Sequence, residues 1–176
     1  DIMATDLRTP VKENGGAILE VNAAPGFRMH IDPSEGLPRN VAEPVVDMLF
    51  PKGSAGTIPI IAITGTNGKT TTTRLTAHIA KTAGYKVGYT TGDGVYIQNQ
   101  LMMKGDCTGP VSSTFVLKDP TVDFAVLECA RGGILKNGLA FQNCDVAVVT
   151  NISADHIGLG GIDSMEQMAK VKQVVP

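Results

Sequence analysis

The chain has 176 residues, 43% of them apolar and 18% charged, with a formal net charge of −2. This composition excludes a disordered chain, and the near-neutral balance gives no electrostatic reason to expect nucleic acid or an anionic membrane as a partner. Cys107, Cys129 and Cys144 are scattered without metal-ligand spacing, which suits a reducing cytoplasm, and there is no signal peptide or membrane-length apolar run.

In chain order, Asp1-Ile2-Met3-Ala4 reads as the tail of a strand. Lys12-Glu13-Asn14-Gly15-Gly16 carries an Asn-Gly turn signal, and Ala17 to Val21 reads as the returning strand, so residues 1–32 are predicted to hold a β-hairpin. Glu20 and Asn22 are two apart on that strand, which puts both side chains on one face. A carboxylate and an amide oxygen there would suit a hard cation. Residues 33–57 form a connector marked by Pro33, Pro38, Pro44 and Pro51. It contains a short amphipathic helix around Val45, Val46, Met48 and Leu49, and a flexible Lys52-Gly53-Ser54-Ala55-Gly56 link.

Residues 58–176 alternate between strand and helix. Strands are predicted near 58–64, 86–91, 122–128 and 145–150, and helices near 69–83, 110–118 and 164–175. A small hairpin is predicted between Gly94 and Lys104, around Asn99. Within the first helix, Leu75, Ile79 and Ala83, with Ala80 beside them, repeat at helical spacing, and Gly84 marks its end. Alternation of this kind implies an α/β fold, a parallel sheet with covering helices. The chain stops at Val174-Val175-Pro176 while a helix is under way, so the sequence reads as a piece of a longer protein.

The richest stretch is Ile58 to Arg74. An apolar, β-branched strand runs into Gly65-Thr66-Asn67-Gly68-Lys69-Thr70-Thr71 and then into a helix, the order of a phosphate-binding loop. Gly65 and Gly68 let the backbone N–H groups turn toward phosphate oxygens. Lys69 would place a charge on the β- and γ-phosphates, and Thr70 would offer a hydroxyl to Mg²⁺. Thr70 to Thr73 are β-branched residues that propensity alone would not put in a first helical turn, whereas a bound triphosphate suits that turn. The loop is the short Gly-x-x-Gly-Lys-Thr form, with Ile63 where the longer form has its first glycine. Two further strand ends reach the same expected edge of the sheet. One ends in Glu128 and leads into Cys129-Ala130-Arg131-Gly132-Gly133. The other ends in Asn151 and leads to Asp155-His156. Ligands of open α/β sheets bind outside these carboxyl ends, so Glu128 and His156 are candidate ligands for ions on a triphosphate.

Thr64-Gly-Thr-Asn-Gly-Lys-Thr-Thr71, Glu128, and Asn151 with Asp155-His156 together resemble the central ATPase domain of the Mur ligases and folylpolyglutamate synthetases. Leu19-Glu-Val-Asn-Ala-Ala-Pro-Gly26 is similar to the closing motif of an ATP-grasp domain. An ATP-grasp tail joined to a Mur-type start is the tandem order of the cyanophycin synthetase family. Gly26-Phe-Arg-Met-His30, Gly105-Asp-Cys-Thr-Gly-Pro110, Cys129-Ala-Arg-Gly-Gly-Ile-Leu135 and Ala154-Asp-His-Ile-Gly-Leu159 also resemble that family.

The resemblance implies residues 1–32 as the end of an ATP-grasp domain, 33–57 as connector and 58–176 as the start of a Mur ligase-like ATPase domain. It implies a cytoplasmic, homo-oligomeric ligase using ATP and Mg²⁺, whose substrates are aspartate, arginine and the growing polymer. One half would extend poly-aspartate and the other would join arginine to its side-chain carboxyls, each through an acyl phosphate. Thr70 and Glu128 would hold one ion and His156 a second. Asp1, Glu20 and Asn22 would serve the other ATP site. A lysine past the His, often carbamylated in Mur ligases, matches Lys172 better than Lys170. Two rival readings are another Mur-type ligase, acting on a cell-wall precursor or folate, and a non-catalytic nucleotide-binding module. The piece by itself is expected to be inactive.

Overall fold

The computed structural model describes residues 1–176 apart from Leu7, Ala55, Asp155, His156, Ile157, Leu159 and Pro176; the expectations for Asp155 and His156 therefore lie outside the described residues. The chain divides into two units, Asp1–Gly53 and Ser54–Pro176.

In the first unit β1 (Ile2–Met3) pairs antiparallel with β2 (Ala17–Ile18), matching Ile2 to Ile18 and Met3 to Ala17. The Asn-Gly signal closes a wide loop instead of a tight turn. Asn14 donates from Nδ2 to the Asp6 carbonyl (3.0 Å) and accepts the Gly16 N–H at Oδ1 (2.9 Å). The Asp6 carboxylate accepts from the N–H groups of Thr9 and Arg8, both at 2.7 Å, and those bonds hold its pKa below the ordinary value.

The predicted strand Ala17–Val21 stops at Ile18. Glu20 and Asn22 lie on irregular backbone past its end, so the argument that they share a strand face fails. The register of Ile2 with Ile18 and Met3 with Ala17 brings Asp1 opposite Leu19, whose N–H bonds the Asp1 carbonyl (2.8 Å). A single turn, α1 (Arg28–Ile31), follows, which sequence reading did not predict. Then comes α2 (Ala42–Leu49), the expected connector helix. Asn40 precedes α2, accepting the Glu43 N–H (3.2 Å) while its own amide donates to the Glu43 carboxylate (3.0 Å), a reciprocal cap. No described residue of this unit is buried.

The second unit is built on β3 (Ile60–Thr64), α3 (Lys69–Thr82), β4 (Val87–Thr91), β5 (Gly94–Ile97), β6 (Gln100–Lys104), α4 (Pro110–Leu117), β7 (Phe124–Glu128), α5 (Arg131–Asn137), β8 (Val146–Val149) and α6 (Met165–Lys172). Its sheet has the order β6-β5-β4-β7-β3-β8. β4, β7, β3 and β8 are parallel, as expected, with Ile63 opposite Glu128 on one side and Val148 on the other. The hairpin around Asn99 does not stand apart. It extends the sheet antiparallel beyond β4, turning at Gln98 and Asn99 with φ of 49° and 70°.

The two faces of the sheet carry separate cores. Ile63, Val87, Tyr89 and Val126 pack with Ala77 and Ala80 of α3. Ala62, Val95, Ala125 and Leu127 pack with Val116 of α4. Alternation along β3 and β7 puts these sets on opposite faces. Sequence periodicity misplaces the buried face of α3. Leu75 and Ile79 are about 60% exposed; Thr73 and Ala77 face the sheet, together with Ala80, the one residue of the expected repeat that is buried. The loop sets the helix's rotation. Thr70 Oγ1 bonds Glu128, and residues 73, 77 and 80 follow Thr70 at helical spacing, so they inherit its face. Small side chains there let α3 lie close on a sheet of β-branched strands. At the far flank of α3, Arg74 pairs with Asp93 and stacks its guanidinium over Tyr96, 5.5 Å from the ring centre.

The other miss is α5, where sequence reading predicts no helix. Gly133 is there because a Cβ would stand 2.9 Å from Gly109 Cα and 3.1 Å from the Thr108 carbonyl. The helix passes too close to that turn for any side chain. Among the described residues no helix is long and apolar enough to cross a membrane.

Candidate nucleotide site

Four chain segments converge at the carboxyl edge of the parallel strands: the β3–α3 loop, the end of β7 with the start of α5, the exit of β8, and the last turn of α6. Gly65 and Gly68 have φ of 142° and 82°. Both values favour glycine, and at Gly65 space is also closed, because a Cβ would stand 1.9 Å from Thr150 Oγ1. The first turn of α3 has N–H groups without intrahelical partners, at the positive end of the helix dipole.

Lys69 folds over the loop and donates from Nζ to the Thr66 carbonyl (2.9 Å). Lys172 arrives from α6 and donates to the Gly65 carbonyl (2.8 Å). It is only 3% exposed, whereas Lys170 is exposed. Gly65, Thr66, Lys69 and Lys172 line a cavity of ≈ 230 Å³ together with Ala130, Arg131, Gly132 and Met168. Burial, with the nearby charges of Lys69 and Arg131, lowers the Lys172 pKa from 10.5 to about 8.

That shift predicts a pH dependence. Between pH 8 and 10.5 the unfolded chain holds a proton on Lys172 that the folded chain has released, so folding becomes more favourable as pH rises through this window. Denaturant unfolding at pH 7.5, 9 and 10 should show that rise, and Lys172→Met should flatten it. An unchanged slope in the variant would refute the assignment.

Beside the cavity, Thr70 Oγ1 donates to Glu128 Oε2 (2.9 Å), and the Gly92 N–H donates to the same oxygen (3.3 Å). Burial raises the Glu128 pKa, opposed by the Thr70 bond, the Lys69 charge and the Gly92 N–H. Two buried threonines fix the backbone that presents it: Thr90 Oγ1 accepts the Glu128 N–H (3.1 Å), and Thr64 Oγ1 donates to the Cys129 carbonyl (2.8 Å). Among the described residues no three His, Cys, Asp or Glu side chains gather as a metal site. One carboxylate and one hydroxyl at bonding distance do fit Mg²⁺ carried in on phosphates, because that ion keeps waters and phosphate oxygens in most of its positions.

A Mur-type domain is expected to assemble in this way, and residues 63–174 match the family described as Mur ligase middle domain. The chain belongs to that family. Over 175 residues it is 62% identical to the cyanophycin synthetase of Geminocystis herdmanii and 63% identical to that of Crocosphaera subtropica. Each comparison covers 99% of this chain and 20% of the relative. The chain thus spans about a fifth of the length of these curated relatives. The solved structure of a UDP-N-acetylmuramoyl-L-alanyl-D-glutamate–2,6-diaminopimelate ligase superposes with a TM-score of 0.56 at 25% identity, covering 75% of this chain and 26% of that one.

Of the residues singled out by sequence, Gly65, Thr66, Asn67, Gly68, Lys69, Thr70, Glu128 and Lys172 come together at this edge. Thr71 follows them on α3, exposed to solvent. Asp1, Glu20 and Asn22 belong to the other unit, where Asp1 and Glu20 meet through backbone: the Asp1 amino group donates to the Glu20 carbonyl (2.6 Å). Arg131 and Met168 line the cavity and escaped sequence reading as site residues. An Arg beside two glycines just past a strand end was the available signal for Arg131.

Proposed function

We propose that this chain is the junction of an ATP-dependent acid–amino-acid ligase that polymerises aspartate and attaches arginine to its side-chain carboxyls. The observation that supports this best is the reach of the identity. At 62% it extends over 99% of the chain, taking in residues 1–57, which precede the stretch matched to the Mur ligase middle domain. Cell-wall ligases of Mur type match the chain at only 31–33% identity, over 57–88% of it. Under this reading residues 1–32 close an ATP-grasp domain, 33–57 connect, and 58–176 begin the Mur-like domain of a cytoplasmic homo-oligomer.

A carboxylate is a poor acyl donor. The γ-phosphoryl group of ATP is therefore transferred to it, and an incoming amine then displaces phosphate from the acyl phosphate to leave an amide. Lys69 and the first turn of α3 hold the triphosphate in line. Thr70 and Glu128 would hold Mg²⁺, which neutralises charge on the β- and γ-phosphates when bound. His156 would serve a second ion. Lys172 would serve that ion too as a carbamate: its pKa, lowered to about 8, favours the neutral amine, the form that adds CO₂ and releases a proton. Asp1, Glu20 and Asn22 would serve the aspartate-adding site.

The test separates the two activities in the full-length protein. Glu128→Gln should remove arginine addition to a pre-made acceptor and spare aspartate addition, whereas Glu20→Gln should do the reverse. The amide keeps the shape but loses the charge that balances the ion. Equal loss of both activities in both variants would overturn the two-site assignment.

A further inference from the structure

Two residues at the exit of β8 hold the phosphate loop more closely than an ordinary loop contact requires. Asn151 pairs with both polar backbone groups of Asn67, accepting its N–H at Oδ1 (3.1 Å) and donating from Nδ2 to its carbonyl (3.0 Å). Thr150 Oγ1 donates to that same carbonyl (2.7 Å). The Asn151 backbone carbonyl accepts the Thr66 N–H (2.9 Å), and Thr66 Oγ1 accepts the Ser153 N–H (3.1 Å). A side-chain amide thus continues, past the end of β8, the ladder that β8 makes with β3 up to Thr64 and Val149. The consequence is directional. The N–H groups of Thr66 and Asn67 are committed to β8, so the phosphates fall to the first turn of α3, beside Lys69 and Thr70.

We infer that Asn151 is the positioning residue of the phosphate loop, holding the Asn67 backbone toward β8 so that the α3 turn is presented to the nucleotide. It acts through the loop and not by touching the phosphates. Thr150 supports it from the same carbonyl, and the Ser153 bond makes the segment after β8 follow the loop. This inference rests on the reading of the loop as an ATP site.

The experiment measures binding of a fluorescent ATP analogue to the full-length protein, alongside the melting temperature without nucleotide. The binding component that Lys69→Ala removes defines the loop's own site. If Lys69→Ala removes none, the ATP reading fails and this inference falls with it. With that component in hand, Asn151→Ala should weaken it about tenfold, as expected for losing two hydrogen bonds that hold the site's geometry. Asn151→Asp keeps the acceptor for the Asn67 N–H but turns an anion on the Asn67 carbonyl, so it should bind no better than Asn151→Ala. Thr150→Val should weaken binding in the same direction by a smaller factor. Wild-type affinity in Asn151→Ala, or its restoration by Asn151→Asp, would overturn the inference, as would a lowered melting temperature with unchanged affinity.

Discussion

Lys69→Ala should lower the rate of the proposed arginine addition by the full-length protein about 10²–10³-fold, the scale of losing one group that stabilises transition-state charge. The side chain starts at the first residue of α3 and reaches back over the loop to the Thr66 carbonyl, which holds its ammonium group at the cavity wall. Its charge also lies close enough to Glu128 and Lys172 to shift both pKa values downward. Removing it should therefore raise the Glu128 pKa further and move that of Lys172 back up. Those shifts offer a check that does not depend on the rate. Lys69→Arg should not restore activity, because a planar guanidinium cannot occupy the place of a compact ammonium against the loop carbonyl. Aspartate addition, which the proposed function gives to the other unit, should continue. A rate within a few-fold of wild type would remove Lys69 from the phosphate site.

Gly65→Ala should cost about 3 kcal/mol of stability, combining overpacking with a positive φ. The added Cβ would sit 1.9 Å from Thr150 Oγ1 and 3.1 Å from both Thr150 Cβ and its backbone nitrogen, at a φ of 142°. Thr150 cannot swing aside without loss, because its hydroxyl holds the Asn67 carbonyl. Adding Thr150→Ala should therefore rescue only part of the stability and none of the nucleotide binding. Gly132→Ala is the control in the same cavity. Its Cβ would meet nothing within 4 Å, and it lies inside α5, so stability should hold or rise slightly. Denaturant unfolding of the three variants measures this. A Gly65→Ala midpoint equal to that of Gly132→Ala would contradict the geometry.

Much of the second unit was legible because its signals are local. Four apolar, β-branched runs became the four parallel strands, and the predicted helix starts at residues 69 and 110 are those observed. Gly84 ends α3 as expected, with its N–H returning to the Lys81 carbonyl (2.9 Å). The failures share one cause, a neighbour far away in the chain. Leu75 and Ile79 look like a buried stripe until Glu128, 58 residues from Thr70, fixes the rotation of the helix. The helix α5 goes unpredicted, and what its Gly133 answers to is the turn at Thr108 and Gly109, which claims the space.

The residue types that can handle a triphosphate were readable without coordinates, because the chemistry itself demands them: glycines for backbone approach, Lys69 for charge, Thr70 and Glu128 for an ion. Their assembly was not readable. The resemblance favours Lys172 over Lys170, but burying its amine against the Gly65 carbonyl, adding Arg131 to the cavity, fixing the Glu128–Cys129 backbone with Thr90 and Thr64, and bracing the loop from Thr150 and Asn151 all depend on separate elements arriving at one edge. A parallel sheet brings its carboxyl ends together whatever the sequence distance between them. Local propensity acts over a few residues, whereas these contacts span up to 107 positions, so only the packed chain could decide them.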